Sequence, residues 1–131
     1  MENLDIVETK YTPNIQMNVD GTISIKGKSY PENTFEFYEP VMAWMEALFE
    51  QENTNIVVIN FEITYFNSSS SKLFFDFFDL LEEKNDEFDI TINWRYEEEN
   101  ESAEEAGEDF IEDFEELTIN LVKIGSDDGC S

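Results

Sequence analysis

A chain of 131 residues with 40% hydrophobic and 15% aromatic residues, twelve of them Phe, fits one domain with a sizeable core and lacks the low-hydrophobicity signature of disorder. Its net charge of −25 argues against holding DNA, RNA or anionic lipid through their phosphates. The absence of His removes the usual general base and imidazole ligand, and the single Cys, Cys130 in a polar tail, excludes an intrachain disulfide and a multi-cysteine metal site.

In chain order, residues 1–10 are acidic and unpatterned and are expected to form a loose arm. Ile15-Gln16-Met17-Asn18-Val19 alternates apolar with polar, Asp20-Gly21 supplies a turn, and Thr22-Ile23-Ser24-Ile25-Lys26-Gly27 alternates again, which predicts a hairpin. Ser29 to Asn33 reads as a loop, with Asn33 or Thr34 placed to cap a helix. Val41, Trp44, Met45 and Leu48 recur at helical spacing, so that helix runs from Pro40 to about Gln51; Pro40 fits its first position or kinks a longer helix begun near Thr34. Residues 55–66 are rich in β-branched side chains and predict a central strand. The apolar spacing of Leu73, Phe77, Leu80 and Leu81 then predicts a helix ending at about Lys84. Phe88 to Tyr96 alternates cleanly as a strand with one buried face, and Glu97–Glu101 reads as a solvated charge run. Ala103, Ala106, Phe110, Ile111 and Phe114 mark an amphipathic helix with an acidic outer face, and residues 117–124 close the fold as a strand before a polar tail at 125–131.

The order β-β-α-β-α-β-α-β predicts an α/β fold: a single domain over 1–131 with loose termini and a mixed sheet of about five strands. Right-handed crossovers would set its three helices on one face. No apolar run reaches the roughly 18 residues of a membrane span, and Met1-Glu2-Asn3-Leu4-Asp5 lacks a basic n-region. The expectation is a cytoplasmic protein without direct membrane insertion.

Between the central strand and the helix after it lies Tyr65-Phe66-Asn67-Ser68-Ser69-Ser70-Ser71-Lys72. Four hydroxyls sit where a buried strand stops and a helix starts, at the strand edge where such folds gather ligands. Unpaired N–H groups at a helix start favour an anion, so a hydroxyl there can carry a phosphate. The competing reading is that Ser and Asn are simply good N-caps. A phosphate adds about −1.5 to −2 charges, small beside −25, so its effect would be local: a hydrated dianion on a surface where a partner meets a small hydroxyl.

Catalytic alternatives lack essential parts. No Gly-x-Ser-x-Gly elbow occurs, a Ser nucleophile has no His to activate it, and the five glycines are scattered rather than gathered in a phosphate loop. The carboxylate pairs Asp76/Asp79, Glu104/Glu108 and Glu112/Glu116 are what 32 acids in 131 residues give by chance. The spacing of a calcium loop does not occur, so neither cofactor nor metal is expected. Trp44, Trp94 and Tyr96 read as core or edge aromatics rather than a binding cage.

Three blocks resemble the SiaC family of bacterial regulatory phosphoproteins, which look like anti-sigma-factor antagonists of the STAS type: Gly27 to Asn33 with the Phe/Tyr segment and Trp44 after it, Tyr65 to Lys72, and Trp94-Arg95-Tyr96 followed by acids and the Ala103 to Phe110 helix. The resemblance spans about residues 12–124 and implies a STAS-like domain that is not an enzyme. It implies a phosphoacceptor at Ser68, with Ser69 and Ser70 as alternatives because the family's usual Thr is here a Ser within a run of four, and a switch loop of Asn67, Ser69, Ser70, Ser71 and Lys72. It further implies a kinase of the histidine-kinase-like ATPase superfamily and a membrane-linked phosphatase of the metal-dependent class. The unphosphorylated form would bind and activate a diguanylate cyclase, raising cyclic di-GMP and favouring biofilm. Two other readings compete: an acidic nucleic-acid mimic that blocks a DNA-binding protein through its 97–116 face, and a metal-assisted hydrolase built on paired carboxylates.

Overall fold

The computed structural model describes residues 2–51 and 56–124; the 125–131 tail and Cys130 lie outside the described residues. Strands β1 (Leu4–Ile6), β2 (Asn14–Met17) and β3 (Thr22–Ser29) precede helix α1 (Thr34–Phe49), and β4 (Ile56–Phe66), α2 (Ser68–Lys84), β5 (Asp89–Glu97), α3 (Glu101–Asp113) and β6 (Thr118–Ile124) come after it. The strands form one sheet in simple sequence order. β1, β2 and β3 pair antiparallel, and β3 to β6 pair parallel. Each parallel step advances in the same direction through one helix, so right-handed crossovers put α1, α2 and α3 on the same side.

Strand alternation agrees with that one-sided cover. Ile23 and Ile25, Val57, Ile59, Phe61 and Ile63, and Ile90, Ile92, Trp94 and Tyr96 are all buried. The intervening residues form the uncovered face and, Val58 apart, are polar. Asn60, Asn93 and Asn120 stand in register across β4, β5 and β6. The Asn93 amide donates to Asn60 Oδ1 at 2.9 Å, and Asn120 donates to Asn93 Oδ1 at 3.2 Å. On the same face Glu62 forms ion pairs with both Lys26 at 3.5 Å and Arg95 at 3.6 Å. Under the helices Phe61 meets Trp94 with ring centroids 5.4 Å apart, and Phe78 meets Phe110 edge-on at 4.6 Å. Helix α3 approaches so closely that a Cβ on Gly107 would lie 2.4 Å from Leu121 Cδ2 and 2.6 Å from Trp94 Cδ1. Only a glycine fits there.

Two expectations need correction, and one choice left open is settled. The arm at 1–10 contains a strand: Leu4 and Ile6 pack partly buried against the core, Trp44 Nε1 donates to the Glu2 carbonyl at 2.8 Å, and Asn3 Oδ1 accepts from the Val19 amide. This strand is the sixth of a mixed sheet otherwise as expected, where about five were read from the sequence. α1 is the longer of the two helices considered, capped by Asn33, whose side chain accepts from the Glu36 amide at 3.1 Å. Pro40 sits inside it, and because Pro40 and Glu36 are both exposed, water can take the Glu36 carbonyl that loses its donor. The second correction concerns the serines, which are helical rather than a loop.

Candidate functional site

The candidate site begins with a bulge. Gly27 pairs with Ile63 but Lys28 pairs with Tyr65, leaving Thr64 as an extra residue in β4. One unpaired residue inverts the alternation beyond it. Tyr65 thus turns out, 54% exposed, although continued alternation from Ile63 would have put it inside. Phe66 turns in, against Phe74 at 5.6 Å and Trp94 at 6.3 Å. The bulge is held by Asn100, whose amide donates to the Thr64 carbonyl at 3.0 Å.

Asn67 comes next in extended conformation and caps α2, its Oδ1 accepting from the Ser70 amide at 2.9 Å. The Asn67 amide donates to the Ser29 carbonyl at 3.1 Å, and its own carbonyl accepts the first helical bond from Ser71 at 3.0 Å. The four serines therefore occupy the first turn of α2, and the expected switch loop of Asn67 and Ser69 to Lys72 is a cap and a helical turn. Winding separates four chemically identical side chains. Ser68 and Ser69 are exposed, Ser71 is half-buried, and Ser70 is fully buried. Ser70 Oγ donates to the Ser29 carbonyl at 2.9 Å and lies 2.8 Å from Ser29 Oγ, which in turn lies 2.6 Å from the Tyr38 hydroxyl. Ser70 is thus a structural hydroxyl beyond the reach of another enzyme.

Ser29 and Tyr38 are the supporting residues that sequence reasoning missed. Ser29 stood in a block that carried the resemblance, yet no periodicity links it to a residue 41 positions away. Burial pushes the Tyr38 phenol well above its ordinary range, so it stays a neutral donor.

Ser68 presents an exposed hydroxyl at the first helical position, where the amides not used by Asn67 have no intrahelical acceptor. Exposed Lys72 is four residues on, hence on the same helix side. It makes no ion pair among the described residues. A phosphoryl group on Ser68 would meet the positive helix end and an ammonium without disturbing the core. Beside it, between α2 and α3, lies a cleft of about 260 Å³ with Phe66, Phe75 and Phe110 in its floor and Glu105 and Asp109 at its rim.

The other candidates do not assemble into sites. Asp76 and Asp79, and Glu112 and Glu116, are exposed, and Glu104 is half-buried beside exposed Glu108. Among the described residues no group of three or more acidic or Cys side chains is placed to hold a metal. Trp44, Trp94 and Tyr96 are buried in the core. Among the described residues no helix is long and apolar enough to cross a membrane.

Comparison with known proteins gives concordant results. The family described as SiaC family regulatory phosphoprotein matches residues 6–124. An uncharacterized protein of Pseudomonas aeruginosa (strain UCBPP-PA14) is 36% identical over 115 residues, covering 86% of this chain and 90% of that one. The solved structure of SiaC of Pseudomonas aeruginosa is similar with a TM-score of 0.81 at 30% identity, covering 95% of this chain and 99% of that one. A chain in the crystal structure of the Pseudomonas aeruginosa diguanylate cyclase SiaD in complex with its activator SiaC is similar with a TM-score of 0.85 at 31% identity, covering 92% of this chain and 99% of that one.

Proposed function

The chain belongs to the SiaC family of regulatory phosphoproteins, and from that premise we propose that it is a non-enzymatic adaptor switched by reversible phosphorylation of Ser68. The observation that carries the reading is the sorting of the serine run: Ser68 is exposed at the capped start of α2, whereas Ser70 is sealed beneath it. In its unphosphorylated form the protein binds and regulates a diguanylate cyclase, a partner supported by the similar chain in the complex of SiaD with its activator SiaC. A kinase writes the mark and a phosphatase removes it. The output is the cellular level of cyclic di-GMP.

The mechanism is steric and electrostatic. The Ser68 hydroxyl is small, and a partner packed over the α2 start can bury it or hydrogen-bond it. A phosphate there carries about −1.5 to −2 charges and a tight hydration shell. Its charge is held by the helix end and Lys72, so the fold stays intact while the complementary surface of the partner is lost. The cyclase supplies the chemistry, and this chain controls whether the cyclase is engaged.

Incubating the purified protein with its kinase and ATP, then mapping phosphate by mass spectrometry, tests the assignment. Phosphate is expected at Ser68, and phosphate found only at other residues overturns the assignment. Ser68→Ala should bind the cyclase but resist the kinase. Ser68→Glu should weaken binding with an unchanged circular dichroism spectrum, and binding equal to wild type by kinase-phosphorylated protein would refute the switch itself.

A further inference from the structure

Of the chain's seven cationic side chains, Lys10, Lys26 and Lys28 line a single cleft of about 770 Å³. The cleft lies where the β1–β2 connection folds over the bulged ends of β3 and β4, with Tyr11, Tyr30 and Thr64 completing its walls. In a protein with 32 acidic residues this concentration is unlike the rest of the surface, and Glu8 is the one carboxylate in the lining. Lys26 shares Glu62 with Arg95. Lys10 and Lys28 make no ion pair among the described residues. Two ammonium groups without an ion-pair partner thus line the cleft against one carboxylate, and a concave wall focuses their field on whatever enters.

The walls are held in place before any ligand arrives. Thr9 Oγ1 accepts from the amides of Tyr11 and Thr12, each at 3.1 Å, which rounds the connection into a fixed turn. The Tyr30 amide donates to the Tyr11 carbonyl at 2.8 Å, tying that turn to the end of β3. Tyr11 packs edge-on to Tyr30, and Tyr30 to Tyr65, each pair with centroids 5.3 Å apart. Tyr11 in the lining is nonetheless 53% exposed, and Tyr65, which braces Tyr30 from outside the lining, is 54% exposed. Exposed but anchored aromatic rings beside free lysines match a ligand that is anionic at one end and flat at the other.

We propose that this cleft binds a nucleotide, with Lys10 and Lys28 on its phosphates and the tyrosines against its base. The volume falls in the range of small-molecule sites, roughly 300–1,000 Å³. An acidic peptide is the less suitable occupant. Beyond the cleft it would run onto a surface of net charge −25, where its remaining carboxylates are repelled, whereas a compact anion places its charge only beside the lysines. The site is separate from Ser68 and its failure would leave the phosphorylation reading untouched.

Titrating guanosine and adenosine triphosphates, inorganic triphosphate and a glutamate-rich peptide into isotope-labelled protein at low salt, and following amide resonances, decides the matter. Nucleotide should shift resonances at 9–12, 26–30 and 64. Lys10→Ala and Lys28→Ala should each weaken binding about tenfold, the effect of one charge-assisted hydrogen bond, with spectra otherwise preserved. Ser68→Ala should bind as wild type does. The proposal is overturned if millimolar nucleotide moves none of these resonances, if inorganic triphosphate binds as tightly as the nucleotides, or if the peptide binds more tightly than either.

Discussion

Replacing Ser29 by Ala tests how the first turn of α2 is held down. Ser70 Oγ donates its only proton to the Ser29 carbonyl at 2.9 Å. At the 2.8 Å contact between the two serines Ser29 Oγ must therefore be the donor, and Tyr38 then donates to Ser29 at 2.6 Å. The chain of donation runs one way, from phenol to serine to serine to carbonyl. Ser29→Ala removes two of these bonds and leaves the hydroxyl of Tyr38, a residue only 2% exposed, with no acceptor. Each neutral bond contributes about 1 kcal/mol net, and an orphaned buried hydroxyl adds about 1–3 kcal/mol, so the expected loss is about 3–5 kcal/mol. Tyr38→Phe deletes the same first contact but leaves Ser29 bonded to Ser70, and should cost only about 0.5–1.5 kcal/mol. With Tyr38→Phe already in place, Ser29→Ala strands no phenol and has only the bond to Ser70 left to lose, so its cost should fall by about 2–4 kcal/mol. Urea unfolding followed by the near-ultraviolet dichroism of buried Trp94 measures all four corners of this cycle. Additivity within about 0.5 kcal/mol would refute the one-way chain.

Packing and charge give two more expected outcomes. Gly107→Ala gains about 1 kcal/mol of helix propensity but drives a methyl into Trp94 and Leu121; overpacking of about 1–3 kcal/mol should win, and a raised melting temperature would contradict the close approach of α3. Three ion pairs are formed among the described residues against a net charge of −25, so raising NaCl from about 10 to about 500 mM should screen more repulsion than attraction and increase the melting temperature, measured by calorimetry.

The sequence made some of this legible and concealed the rest for identifiable reasons. The hairpin, the central strand and the helices announced themselves through periods of 2 and 3.6, because each has one face in the core. Leu4-Asp5-Ile6 was hidden because three residues are too short to show a period; only its distant partners Met17 and Ile15 make it a strand. Asn33 signalled the true start of α1, but Pro40 offered a competing one, and a proline with its lost carbonyl facing solvent is tolerated. Asn67 and Ser68 could be placed by capping logic. Ser70 could not be told from its neighbours, since the distinction comes from Ser29 and Tyr38 across the fold. Lys26 and Lys28 share a strand face by their spacing, but Lys10 joins them only through the fold, by the bond of the Tyr30 amide to Tyr11.

Thr64 makes the geometry of the α2 start depend on counting. If that residue instead paired with Lys28 in an unbroken ladder, the rest of β4 would slip by one position against β3 and turn over. Tyr65 would be driven into the aromatic interior, Phe66 expelled to solvent, and the capping asparagine carried away from Ser29. No substitution at Ser68 itself would do comparable harm. Loss of the Asn100 bond that holds the bulge should accordingly disturb this stretch more than changes of residue type within it, so that the phase of the backbone, as much as the hydroxyl, specifies the address that a modifying enzyme reads.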